Sequence, residues 1–376
     1  HRTRTDATRP HDVQPPGERR DWKVDPFAAE VVDGRIIGRG TCDMKNNLMA
    51  SIHAVKALLD SKKSLPINLV FLFEGEEEIG SPNLRSFIEE HKADLTCDSI
   101  LCGEGGESKT GQALMVYGFK GMLSFELLVK SAVGVEIHSQ FAGTVNNPAW
   151  RLVSALNSLK QDDKVLIPHF YADIKEPSLT QKIEYGLARV AVSKKQLEEA
   201  FELKIKKGMS VSEALLETFY KPTFNINGLS SGYTVMGGEK TIVPDSAWAR
   251  IDMRLVPEQE PLGIFENINK YLQSKGFTDV EVKRSGFALP PYMVDSSERI
   301  VKVVKEALKK VVSKKIMDIP IAPYAGAMVW LPRILNKPMA CAGSGAGYMA
   351  HRPNEFITQE QYLKGIKLFA TIYNSY

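Results

Sequence analysis

The sequence predicts an α/β domain with a central sheet and helices on both faces, interrupted by a second domain of α+β type. Three observations carry this reading. Strand and helix signals alternate through the first third of the chain. From about Gly121 the pattern changes to alternating strands and longer, lysine-rich loops. Helical patterns then close the chain from Asp295 onward. At 376 residues there is room for about two domains of roughly 150 residues each. The boundaries expected are 1 to 117 for the first part of the α/β domain, 118 to 287 for the insertion, and 288 to 376 for the second part.

The elements follow in order. Val31-Val32 and Arg35-Ile36-Ile37 flank Asp33-Gly34, a hairpin turn pair. A helix is expected from about Met44 to Leu59, with Leu48, Ile52, Val55 and Leu59 on one face. Ile67 to Phe73 is a short apolar run between Pro66 and Gly75, the pattern of a strand buried on both faces. Ser81 to His91 reads as a helix and Ser99 to Cys102 as the next buried strand. In the insertion, Met122 to Lys130 is a strand, and Pro148 to Lys160 an amphipathic helix carrying Leu152, Val153, Leu156 and Leu159. A helical stretch is expected near Lys194 to Lys207. Ala247, Ala249, Ile251, Met253 and Leu255 alternate as a strand with one buried face. Asp295-Ser296-Ser297 can cap a helix carrying Ile300, Val303, Val304, Ala307, Leu308 and Val311, and Thr358 to Gln361 is a capping box opening the last helix. Thr3 to Pro10 is polar and carries no strand signal.

Composition narrows the function. Lys+Arg 48 against Asp+Glu 45 leaves a net charge of +3, so no basic excess points to nucleic acid or an anionic membrane. The longest apolar stretch, Ile67 to Phe73, falls far short of the ~20 residues of a membrane span. Cys42, Cys97, Cys102 and Cys341 make neither a disulfide framework nor a paired zinc motif, and are expected to be reduced in a cytoplasmic protein. The first ten residues lack the apolar core of a signal peptide and read as a chain end exposed by truncation or missing residues.

Reactive groups sit where strands end and turns expose side chains. Asp43 follows Gly38-Arg-Gly-Thr-Cys42 and precedes a helix; alone it reads best as an N-cap. Glu74-Gly-Glu-Glu-Glu78 directly follows an apolar strand, and so many carboxylates repel unless solvated or neutralised by cations. Glu104 ends the strand through Cys102, among glycines that leave space for a ligand. With His11 and His351 these acids compose the donor set of a hydrolytic metal site, in which two ions share a carboxylate.

From about Asp12 to the C-terminus the chain resembles the M20 family of dinuclear metallopeptidases, and within it the cytosolic dipeptidase and carnosinase-like branch. The motifs are Asp12-Val-Gln-Pro-Pro-Gly17, Gly38 to Lys45, Phe73 to Ser81, His138-Ser139 with Asn147-Pro148, Asp252 to Pro257, and Ala350-His-Arg-Pro-Asn-Glu355. Each alone is weak; their order over more than 300 residues is not.

The resemblance implies two divalent metal ions per chain, zinc in the first place with manganese or cobalt as alternatives. Asp43 would bridge them. His11 and Glu104 would complete one site, and Glu78 and His351 the other. Glu77 would be the general base, moving a proton from the bridging water to the leaving amine. Asp12 would orient the metal histidine through its other ring nitrogen. The insertion would serve as a lid and dimerisation domain of a homodimer. There His138 would reach the partner's active site to polarise the scissile carbonyl, and Arg254 would bind the substrate carboxylate. The implied reaction is hydrolysis of dipeptides or short peptides. An N-acyl-amino-acid deacylase on the same metal core, or a metal-free peptide binder, are the alternatives. Three departures stand out. The family pattern puts one residue between the metal histidine and the aspartate, whereas His11 and Asp12 are adjacent, so strict alignment sets Pro10 at the ligand position. Ala327 stands where a serine is usual, and the family's first helix and strands are absent, as though residues were missing.

Overall fold

The computed structural model describes residues 4–10 (as backbone), 12–108, 111–172, 174, 193–195, 198, 203–313, 315–346 and 348–376. Contacts divide the chain into two units. One comprises His1–Phe119, Tyr292–Ala322 and Gly326–Tyr376; the other comprises Lys120–Pro291 and Pro323–Ala325.

The first unit is built on a six-stranded sheet. Its order is Ile316–Ile319, Ala113–Val116, Met339–Cys341, Ser99–Cys102, Arg4–Pro10, Asn68–Glu74. The last four run parallel, and the reversal falls between Met339–Cys341 and Ala113–Val116. Four adjacent strands therefore deliver their carboxyl ends to one edge of the sheet, the place where open α/β sheets hold ligands.

Two sequence expectations fail here for one physical reason. Arg4–Pro10, with no strand signal, is an interior strand paired on both sides, with Pro10 opposite Glu74 and Thr8 opposite Cys102. Asn68–Glu74, expected to be buried on both faces, lies at the edge of the described sheet with Phe73 43% exposed. Ladder bonds are made by backbone groups, so a polar segment flanked by two strands pairs as well as an apolar one.

The helices Lys45–Lys62, Arg299–Val311 and Gln359–Ser375 share one core with these strands, including Ala50, Ala54, Leu58, Val304, Leu308, Leu368 and Phe369. The buried face of Lys45–Lys62 is not the leucine face expected. It comprises Asn46, Asn47, Ala50, Ser51, Ala54 and Leu58, while Leu59 is exposed. Small residues lie there because the last helix approaches closely: a Cβ on Gly365 would meet the Cβ of Ala50 at 3.2 Å. The expected capping box opens that last helix, with Thr358 and Gln361 bonding reciprocally. Asp295 instead bonds the Ser297 amide one turn ahead of its helix, whose cap position belongs to Glu298. The short helix Leu84–Glu90 occupies part of the expected Ser81 to His91.

The second unit is a four-stranded antiparallel sheet, ordered Asn225–Ser231, Ser246–Leu255, Gly121–Lys130, Val280–Leu289. Ala247, Ala249, Ile251, Met253 and Leu255 are all fully buried, as their alternation requires. They pack with Leu152, Leu156 and Leu159 of helix Pro148–Leu159 and Ile264, Ile268 and Leu272 of helix Pro261–Ser274. Of the helix expected near Lys194 to Lys207, Lys194, Lys195 and Glu198 are helical, residues 196, 197 and 199–202 lie outside the described ones, and the stretch Leu203 to Lys207 is not helical. None of the four cysteines forms a disulfide, and among the described residues no helix is long and apolar enough to cross a membrane.

Candidate metal centre

Each acidic residue singled out in the first unit lies just beyond a strand. The 3-10 turn Glu77–Ile79 follows strand Asn68–Glu74 after two residues, and Glu104 stands two residues past Ser99–Cys102. Asp43 lies between strand Arg35–Ile37 and helix Lys45–Lys62. It is not the helix cap. Met44 holds that position without a side-chain cap bond, which leaves the Asp43 carboxylate for other partners. His351 sits between strands Met339–Cys341 and Phe356–Thr358 with φ +62°, in a loop where Met349 and Asn354 are also left-handed. Such backbone is uncommon for non-glycine residues and gathers at functional sites.

These turns bring Asp43, Glu78 and His351 together, with one donor atom from each within 4.8 Å of the others. His351 Nε2 is 3.0 Å from Asp43 Oδ2 and 3.6 Å from Glu78 Oε1. Glu77 lies beside them and is half-buried. Burial, then the charges of Glu78, Asp43, Glu74 and Asp12, push its carboxyl up to about 7. Asp43 is raised as well, by burial first and then by Glu78, against a lowering by His351. Two close carboxylates and an imidazole, beside a carboxyl that burial and neighbouring charges raise to about 7, fit a divalent cation in donor type and charge. Glu104 is half-buried and outside this cluster. His11, the other ligand expected beside it, lies outside the described residues.

Sequence reasoning missed the contacts that hold these side chains in place. Asp12, expected to orient a histidine, accepts the Glu78 amide at 2.9 Å through Oδ2, while its buried Oδ1 has no hydrogen-bond partner among the described residues. Gln14 Nε2 donates to Glu78 Oε2 at 2.8 Å. Asn47 donates to Gly103 O, next to Glu104, and accepts from the amide of Ser344, while Asn46 donates to Ser344 O. No side chain fits at the crossing, since a Cβ on Gly343 would stand 2.4 Å from Gly105 O. Glu355 and Arg39 form a buried pair behind the Asp43 loop. The signal for Asn46 and Asn47 was available: two amides at the start of a helix are costly to bury without partners. Glu355 and Gln14 stood inside motifs already noted.

In the second unit, His138 ends strand Ile137–His138 and is exposed. Its Nδ1 accepts the Gln140 amide at 3.1 Å, so a neutral ring carries its proton on Nε2, directed away from the turn as a donor. Arg254 is half-buried on the face of its strand opposite the core residues, and its backbone exchanges hydrogen bonds with Thr223. The buried Lys120 donates to Lys221 O at 2.5 Å; burial, then the nearby Arg254 charge, lower its pKa to about 8.

Residues 11–375 match the model of Peptidase family M20/M25/M40. The chain belongs to this family of peptidases, as its motifs led one to expect. It is 26% identical over 381 residues to human Beta-Ala-His dipeptidase, an alignment covering 96% of this chain and 72% of that protein. It is 28% identical over 375 residues to the Cys-Gly metallodipeptidase dug1 of Schizosaccharomyces pombe, covering 96% and 77%. Among solved structures, the M20 family metallo-carboxypeptidase Sso-CP2 from Sulfolobus solfataricus superposes with a TM-score of 0.89 at 33% identity, covering 99% of this chain and 85% of that one. The protein is a metallopeptidase of mixed α/β architecture.

Proposed function

We propose that this chain hydrolyses dipeptides or short peptides that carry a free C-terminal carboxylate, with two divalent cations, zinc first among them. The observation that carries the reading is the convergence of Asp43, Glu78 and His351 beside Glu77, a carboxyl poised near neutral pH. Asp43 would be shared between the ions, with Glu78 and His351 on one and Glu104 and His11 on the other. Bound there, the cations would acidify a water and polarise the substrate carbonyl. Glu77 takes the proton of the attacking water and hands it to the leaving amine, a task for which a carboxyl titrating near the working pH is suited. Asp12 and Gln14 hold the turn that carries Glu77 and Glu78.

From the second unit, the lid and dimerisation domain of a homodimer in this reading, His138 donates Nε2–H to the carbonyl oxygen of substrate bound to the partner. Arg254 receives the C-terminal carboxylate. The names of the dipeptidase relatives favour dipeptide substrates, and cytoplasmic surroundings are part of the same proposal. The likeness to a metallo-carboxypeptidase favours a second reading, release of C-terminal residues from longer peptides, which needs the same carboxylate anchor. A hydrolysis screen of dipeptides, longer peptides and acylated amino acids, each with zinc, manganese and cobalt, separates these readings. Chelation should abolish activity and one of those metals restore it. Full activity in a preparation shown to be free of metal would refute the proposal.

A further inference from the structure

Glu355 is fully buried and Arg39 is 4% exposed, and their charges meet with Arg39 Nη1 2.6 Å from Glu355 Oε2. A buried ion pair is a weak device for stability, because desolvating two charges costs about what their attraction returns. The other contacts of this carboxylate are what apolar replacements could not reproduce. Oε1 accepts the amides of both Cys42 and Asp43 at 2.8 Å, and Oε2 accepts that of Gly40 at 3.1 Å. The backbone carbonyl of Glu355 accepts the Gly38 amide as well. The residue is thus laced through the loop that ends in Asp43.

Glu355 comes from the loop of His351, four residues further on. The Arg39 guanidinium also reaches Pro15 O at 3.4 Å, in the segment that carries Asp12 and Gln14, and lies over Trp22. We infer that Glu355 is the positioning residue for Asp43, fixing its backbone through the Cys42 and Asp43 amides, with Arg39 as the paired side chain that keeps the buried carboxylate aimed. The inference rests on the proposed role of Asp43 as a cation ligand.

Two variants separate reach from charge. Glu355→Asp keeps the charge opposite Arg39 but withdraws the carboxylate from the amides by one methylene. Arg39→Met/Glu355→Gln removes both charges but keeps an amide oxygen at the position of Oε1. Affinity for zinc is measured by competition with a chromophoric chelator, and ligand geometry by the visible spectrum of the cobalt-loaded protein. Glu355→Asp should bind zinc about ten- to a hundredfold more weakly, the usual effect of removing a group that orients a ligand, with an altered cobalt spectrum. The double variant should stay within about threefold of wild type. If Glu355→Asp does not fold, Arg39→Met/Glu355→Met replaces it, leaves no buried charge unpaired, and should show the same loss. Wild-type affinity and spectrum in either of these variants, or an equal loss in the Gln double variant, overturns the inference. Asp43→Asn is the control. If it binds zinc as tightly as wild type, the ligand assignment itself fails. If it does not, while Glu355→Asp does, only the role of Glu355 falls.

Discussion

A carboxyl that titrates at about 7 rather than 4.5 makes the metal-free protein sensitive to pH in a predictable sense. The perturbation is removal of divalent cations by a chelator, followed by thermal unfolding between pH 5 and 8. Between 4.5 and 7 the folded state holds a proton on Glu77 that the unfolded state has lost. Stability from this group is therefore complete below pH 4.5 and disappears as pH rises through 7. At 1.36 kcal/mol per pH unit the difference is at most about 3 kcal/mol. Partial exposure of Glu77 reduces that to about 2 kcal/mol. In a domain of 150–250 residues such a loss lowers Tm by roughly 4–8 °C. Carboxylates such as Asp279, whose pKa its Arg151 partner lowers, have the opposite trend, so the quantity to read is the difference between wild type and Glu77→Gln at each pH. That difference should favour wild type progressively less from pH 5 to 7.5 without metal, and the trend should shrink when zinc is added. A flat difference profile in the metal-free protein would refute the electrostatic account of the cluster.

Three further outcomes are expected. Glu77→Gln should keep its cations but lose about 10² to 10⁴ in rate, the usual share of general acid–base catalysis, whereas Glu78→Gln should lose cation; equal metal content in both, measured by atomic emission, would reverse the roles. His138→Ala should lose kcat at unchanged metal content, and mixing it with Glu77→Gln should regenerate sites that combine one chain's Glu77 with the other's His138. No recovery after confirmed subunit exchange would count against action in trans. A dipeptide with a free C-terminus should be cleaved roughly ten- to 150-fold faster than its amide, the equivalent of about 1.5–3 kcal/mol for a charge-assisted contact, and Arg254→Lys should remove most of that preference. Equal cleavage of acid and amide would end the case for Arg254.

Much of the fold was legible where side chains carry the information. The alternation from Ala247 to Leu255 needs one buried face, and it has one. Arg4–Pro10 was illegible because its place between two strands is secured by backbone pairing, which leaves no mark on composition. The buried face of Lys45–Lys62 was misread for a related reason. Leucines mark a face that packs at ordinary distance, but here the neighbouring helix comes close enough to require Ala50, Ser51 and Ala54. Hydrophobicity does not report how closely two helices approach.

The site divides along a different line. Asp43, Glu78 and His351, which converge, lie in motifs that were recognisable, whereas Glu104 lies outside that cluster and His11 outside the described residues. The contacts that hold these side chains were not legible, since they are set by loop paths. Those paths follow a rule: each motif braces a candidate ligand that belongs to another. The segment of Asp12 and Gln14 holds Glu78. The loop of His351 supplies Glu355, which grips the amide of Asp43. The helix that follows Asp43 supplies Asn47, which pins Gly103 beside Glu104 and the Ser344 end of the loop leading to His351. A motif taken alone then lacks the contacts that set its own ligand, which is why each was weak evidence until the others were found in order. The same cross-bracing makes substitutions in different motifs non-additive, because residues in one hydrogen-bonded network share their energy. Loss of Gln14 and loss of Glu355 should therefore weaken cation binding together by an amount different from the sum of the two alone.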